Sequence, residues 1–236
     1  MNKSVRKSDG YGPDLSDRPE WTPPKKIRRA RVLEDSHIER AVNHIRQSSN
    51  SPASDELKVL FSCFAGLRAC EIAAMTLDCV VDADGRIGRH IIVSRYAAKG
   101  GRERIIPMHP RIRDALIRFR EAHPDQHILS FSARRGHIRP QGAAAIKTWF
   151  QQLYREVGLQ GCSSHSGRRT FITRLARSAN LHGRSMRDVQ VLAGHACMAT
   201  TSLYIEPADD LSGLVAAFGA PSSAFSTTLT NKGEPA

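Results

Sequence analysis

His165 and Arg168 stand three residues apart near the C-terminus. His195 follows in Ala-Gly-His, and Tyr204 comes nine positions later, after Thr200 and Thr201. Residues three apart share one face of a helix. Two imidazoles, one guanidinium and one phenol are a set suited to phosphate. Guanidinium and imidazolium hold phosphate oxygens through charge-assisted hydrogen bonds. A phenol can attack phosphorus and remain attached as a covalent intermediate. Each group also has a plainer role. A histidine after a glycine caps a helix, a tyrosine packs its half-apolar ring, and His165 with Arg168 makes a basic helix face.

Two further stretches supply what this set lacks. Gly66-Leu67-Arg68-Ala69-Cys70-Glu71-Ile72 places an arginine and a carboxylate three apart, after an apolar helix and a glycine. The pair reads as a surface ion pair or as a guanidinium held in place for a ligand. Lys99-Gly100-Gly101 lies between the β-branched Ile91, Val93 and Ile105, Ile106, so Lys99 sits at a hairpin tip with Arg102 and Arg104 beside it. The lysine is either a solvated turn residue or a general acid whose pKa cationic neighbours depress.

The formal charge of +12 and the sequence pI near 10.0 call for a polyanionic partner, of which nucleic acid is the usual one and an anionic membrane surface the rival. No apolar run is long enough to cross a bilayer, and the first twenty residues lack the apolar core of a secretory signal. A soluble, cytoplasmic, nucleoid-associated protein is expected. The five cysteines form no Cys-x-x-Cys pair, so reduced thiols in or near the core are expected, not zinc or disulfides. Neither a carboxylate cluster for two metals nor a Gly-x-x-x-x-Gly-Lys-Ser/Thr phosphate loop occurs; no cofactor and no metal are assigned.

The elements that must position these groups are mostly helical. Residues 1–32 are broken by prolines and glycines and end in a basic run with Lys25, Lys26, Arg28, Arg29 and Arg31, an arm for phosphates or a solvated tail. A helix capped at Ser36 buries Ile38, Ala41, Val42 and Ile45. A second, capped by Ser54, buries Leu57, Leu60, Phe61 and Phe64. After the hairpin, helices are predicted over 110–122 and 142–157, with a short strand over 127–131 and a basic loop over 132–142 between them. The His165 helix starts at Ser164, one over 186–193 leads to His195, and one over 199–205 carries Tyr204. A last helix over 209–218 bears Leu211, Leu214, Val215 and Phe218, and 219–236 reads as a disordered tail.

The order Gly-Leu-Arg68-x-x-Glu71-Ile, Lys99 in a β-turn, His165-x-x-Arg168, Gly-His195 and Tyr204 resembles the catalytic domain of the tyrosine recombinases, the phage-integrase family. The resemblance covers residues 33–218 and implies an α+β, mostly α-helical fold with a small antiparallel sheet. It implies that Arg68 and Arg168 clamp the scissile phosphate, with His165 and His195 also on it. Lys99 then protonates the leaving 5′ oxygen, Glu71 supports the site, and Tyr204 is the nucleophile, with neither metal nor ATP required. Arg102, Arg104 and Arg169 join the basic arm as expected DNA contacts. The expected partners are double-stranded DNA and, through the 209–218 helix, a homotetramer on DNA. Family members commonly carry a helical DNA-binding domain ahead of the catalytic one. Only the irregular segment precedes the first helix here, so the expectation is either that the chain binds DNA with one lobe and its basic arm or that an accessory protein supplies the second grip, and weaker intrinsic affinity is expected. Two alternatives stay open: a DNA-binding protein of this fold that does not recombine, and a type IB topoisomerase-like relaxase. Gly167, where the family often has an aliphatic residue, marks a helix start or a loosened interior.

Overall fold

The structure, a computed structural model, describes residues 30–95, 97, 103–134 and 137–204. The expectations for Lys25, Lys26, Arg28, Arg29, Lys99, Arg102, the 209–218 helix and the tail lie outside the described residues.

Helix α2 (Pro52–Phe64) is the element the others surround. Pro52 opens it with a preset φ, and every residue from Ser54 to Cys63 is buried. Helices α1 (Asp35–Ser48), α4 (Pro110–Ala122) and α6 (Ser166–Ser178) pack on it from different sides. Of the predicted apolar stripe, Leu57, Leu60 and Phe61 are buried and Phe64 partly so, and the buried set is wider than the stripe. Lys58 explains why: it is 1% exposed, yet its ammonium bonds the Asp55 carboxylate and, at 3.1 Å, the Phe131 carbonyl, and it lies 4.8 Å from the centre of the Trp149 ring. Burial pulls the Lys58 pKa down, and Asp55 opposes the shift. A charged residue in the core thus looked, in the sequence, like part of a wet face.

Strands β1 (His90–Val93) and β2 (Arg104–Pro107) form the expected antiparallel hairpin, with Ile91 opposite Ile106 and Val93 opposite Arg104. A second hairpin, β3 (Phe131–Arg134) with β4 (His137–Pro140), replaces the expected basic loop. All four residues of β4 are exposed, so no inside–outside alternation marked it as a strand. α5 (Ala143–Glu156) packs on the short α3 (Ala69–Ala73), and α7 (Met186–Ala193) lies between α6 and α8 (Met198–Ser202).

The caps differ from expectation. Glu34 precedes α1, its N–H donating to His37 Nδ1 at 3.2 Å. Ser51 precedes α2, while Ser54 spends its hydroxyl on Leu129 O (2.8 Å) and the Phe131 N–H (3.0 Å), tying α2 to β3. All five cysteines are free thiols. Cys63 is buried, but Cys197 is exposed, away from the expected core position. Gly167 is the second residue of α6, a start position, and its lack of a side chain has a packing reason. A Cβ there would lie 2.3 Å from Ser62 Oγ and 2.9 Å from Cys63 Sγ.

Candidate active site

The site is assembled at three chain reversals. The first follows α2, where Gly66 turns the chain at φ +63; a Cβ there would meet the Phe171 ring at 2.3 Å. The turn delivers Arg68 to the N-cap of α3 and Glu71 to the third helical position. Glu71 is fully buried. Its Oε2 accepts the Arg68 backbone N–H at 2.8 Å, and its Oε1 accepts Arg68 NH1 at 2.9 Å. Capping and pairing are thus one interaction, and the Arg68 side chain stays partly open at 20% exposure. Burial alone would raise the Glu71 pKa. The bidentate bond from Arg104 and the contacts of Arg68 outweigh it, and the carboxyl sits below its ordinary value.

The second reversal starts α6. The helix begins two residues later than the expected Ser164, so His165 is its N-cap residue and exposed, and Arg168 lies in the first turn. Arg168 is 3% exposed and donates to two main-chain carbonyls, NH1 to Gly66 O and NH2 to Ala193 O, both at 2.5 Å. It therefore bridges the Gly66 turn to the end of α7. Burial pulls its pKa down to about 10; the nearby Arg68 and Arg104 add to this, and Glu71 and Tyr204 oppose it. A cation held this dry is short of negative charge.

The third reversal follows α7. Gly194, at φ +63, caps the helix and sets His195 facing inward, 6% exposed. His195 Nδ1 lies 3.0 Å from Thr201 Oγ1. Its ring stacks on that of Tyr204, with centroids 5.5 Å apart and planes at 25°. Gln190 Nε2 donates to the His195 carbonyl at 3.0 Å. Burial, then the cations Arg168, Arg68 and Arg104, push the His195 pKa down to about 4, so the imidazole is neutral near pH 7. A neutral imidazole carries one N–H, and the tautomer in which Thr201 donates to Nδ1 leaves that proton on Nε2. Tyr204 follows α8 in a turn instead of inside a helix; its carbonyl accepts from Thr173 at 3.4 Å.

Arg68, Glu71, Arg168, His195 and Tyr204 are thus brought together. Arg104 departs from its expected role as a DNA contact. It is 6% exposed, gives NH1 and NH2 to the two Glu71 oxygens at 2.8 Å each, and gives Nε to Leu192 O at 3.1 Å. A guanidinium edge spent on a carboxylate is not available to a phosphate. Arg169 is likewise buried in α6 and not on an open face, while Arg31 is exposed as a phosphate contact requires. Sequence reasoning missed the roles of Arg104, Thr201 and Gln190. The signal for Thr201 was its place between the histidine and the tyrosine. For Arg104, the inward phase of β2 was the signal, masked by its charge. Among the described residues no cluster of three or more His, Cys, Asp or Glu side chains suits a metal, and no helix is long and apolar enough to cross a membrane.

The fold is that of the tyrosine-recombinase catalytic domains. The crystal structure of XerA recombinase aligns with TM-score 0.59 at 22% identity, over 84% of this chain and 65% of that one. The Tn1549 transposon integrase (Arg-to-Lys variant) in complex with a circular intermediate DNA aligns with TM-score 0.62 at 20% identity, over 82% of this chain and 67% of the other. The model of the phage integrase family matches residues 31–210, and the chain belongs to that family. In sequence it is similar to tyrosine recombinase XerD of Pseudomonas putida, 29% identical over 63% of this chain and 47% of that protein. It is also similar to tyrosine recombinase XerA of Thermococcus kodakarensis, 26% identical over 80% of this chain and 64% of that one. The chain spans about half the length of the first of these.

Proposed function

We propose that the chain cuts and rejoins DNA at specific sites through a 3′-phosphotyrosyl intermediate on Tyr204. The observation that carries this reading is the surplus of positive charge around one reactive phenol. Two guanidiniums, of Arg68 and Arg104, bond the single carboxylate of Glu71, a third, of Arg168, is held nearby by two main-chain carbonyls, and the neutral His195 ring lies against Tyr204. A phosphodiester entering there neutralises Arg68 and Arg168, and these stabilise the charge that builds on the phosphoryl oxygens as the tyrosine attacks. His195 Nε2–H donates to one of those oxygens. His165, at the rim, contacts the phosphate and takes the phenol proton. The Tyr204 oxygen forms its bond to phosphorus as the bond to the 5′ oxygen breaks, and Lys99 supplies the proton to that leaving oxygen. A 5′ hydroxyl from a second strand reverses the step. The phosphoryl bond is conserved in the intermediate, so the reaction as written consumes neither ATP nor a metal.

Double-stranded DNA is the partner in this reading, with Arg31 and the basic run before it on the backbone. Residues 33–218 are the catalytic unit. The apolar side of 209–218 docks into a neighbouring protomer of a tetramer, and an accessory protein grips the far side of the duplex. The setting is the cytoplasm, at the nucleoid. The test is covalent capture. A pool of random duplexes, each carrying a nick that traps the cleaved strand, is incubated with the protein and denatured. Wild type retains DNA and Tyr204→Phe retains none while still binding duplex. An equal yield of adduct from Tyr204→Phe refutes the assignment. Binding without any adduct favours a non-recombining DNA-binding protein, and relaxation of supercoiled plasmid favours the relaxase.

A further inference from the structure

Arg104 is the side chain that ties the first and third reversals of the site to β2, and the cleavage steps above give it nothing to do. It leaves β2 opposite Val93 of β1. Its two terminal nitrogens take both oxygens of the Glu71 carboxylate, and that same carboxylate holds the backbone and the guanidinium of Arg68. Its Nε fixes the Leu192 carbonyl at the end of α7. Its Cδ and guanidinium lie against Gly194, where an added Cβ would come within 3.0 Å of Cδ and 3.1 Å of NH1. The residue after Gly194 is His195. One buried guanidinium therefore sets the spacing between Arg68, the His195 turn and the hairpin strand.

A buried ion pair is a poor stabiliser compared with apolar side chains of the same volume, so stability does not account for this one. Position does. Without Arg104, the Glu71 carboxylate loses its second guanidinium and is held by Arg68 alone, so nothing on the β2 side fixes the place of the Arg68 guanidinium. We propose that Arg104 is a positioning residue of the strand-cleavage step, acting through Glu71 on Arg68 and through Leu192 and Gly194 on His195. This rests on the cleavage reading above.

The experiment uses the full chain and a nicked duplex recovered by covalent capture. Single-turnover cleavage and duplex Kd are measured for wild type, Arg104→Lys, Arg104→Met, Glu71→Gln and Arg104→Met/Glu71→Gln. Lysine keeps the charge but cannot span two carboxylate oxygens and a carbonyl. Both Arg104 variants should cleave about tenfold more slowly or worse, the scale of one lost charge-assisted hydrogen bond, with Kd almost unmoved. The double variant should be no slower than the slower single one, because both changes break the same link. Arg104→Lys at the wild-type rate, or a rate loss that follows Kd, overturns the proposal and leaves the cleavage reading intact. If both Arg104 variants lose the fold by circular dichroism, Arg104 is a structural residue and the proposal also falls. A wild type that forms no adduct removes both readings together.

Discussion

Gly167→Ala offers a sharp test of how α6 is seated. Alanine is the better helix former by about 1 kcal/mol in a helix interior, so a protein in which this glycine merely loosened the helix would gain stability. The packing gives the opposite sign. The new methyl would lie 2.3 Å from Ser62 Oγ, 2.8 Å from Ser62 Cβ and 2.9 Å from Cys63 Sγ. Rotating the serine moves only the first of these, so α2 and α6 must separate. Overpacking of this kind costs about 1–3 kcal/mol, and the propensity gain is smaller at the second position of a helix. A net loss of roughly 1–2 kcal/mol should lower Tm by about 2–8 °C for a domain of this size. The loss should also appear as a lower midpoint in urea with an unchanged slope. Ser62→Gly removes two of the three close atoms, so in that background Gly167→Ala should cost much less. Arg168 is the next residue and is held to Gly66 and Ala193 by its two carbonyl bonds. Cleavage should therefore fall along with stability. A Gly167→Ala protein that melts at or above the wild-type temperature refutes the close approach of the two helices.

Asp55→Ala should destabilise by about 3–5 kcal/mol, because it strands the buried Lys58 ammonium; adding Lys58→Met should restore most of it, read by urea unfolding. His195 has its pKa depressed from 6.5 to about 4 in the folded chain, so the unfolded state takes up more protons between those values. The contribution of His195 to stability is present above about pH 6.5 and is lost as pH falls toward 4. His195→Gln should flatten that part of the stability–pH curve, and an NMR titration of the ring with a midpoint above 6 would contradict the placement. Thr201→Val removes the partner of Nδ1 and frees the tautomer, so cleavage should slow by about tenfold with little change in duplex affinity. A variant cleaving at the wild-type rate would show that the 3.0 Å contact does not orient the ring.

Where apolar spacing was regular, the sequence was read well. Ile38, Ala41, Val42 and Ile45 line the buried side of α1 as their 3.6 period requires, and α4 and α7 begin and end where expected. The local pairs were legible too, since Arg68 with Glu71 depends on one helical turn and His195 with Tyr204 on one short connection. Charge in the interior defeated the reading elsewhere. Lys58 and Arg104 look like solvent residues by type, and only tertiary partners far along the chain, Phe131 for one and Leu192 for the other, reveal them as buried. β4 gave no periodic signal because all four of its residues are exposed among the described residues. The conjunction of sites could be inferred only through resemblance. The carbonyls that hold Arg168 come from residues 102 positions before it and 25 after it, and main-chain carbonyls leave no mark in a sequence.

The central claim is that a phenol at position 204 becomes joined to a DNA 3′ phosphate. It is tested most directly by digesting the trapped protein–DNA adduct with nuclease and protease and sequencing the modified peptide by mass spectrometry. The account predicts a nucleotide phosphate on Tyr204 and on no other side chain. A nucleotide on another tyrosine, on Cys197 or on a serine, or a modified peptide bearing a 5′ instead of a 3′ phosphate, would contradict it.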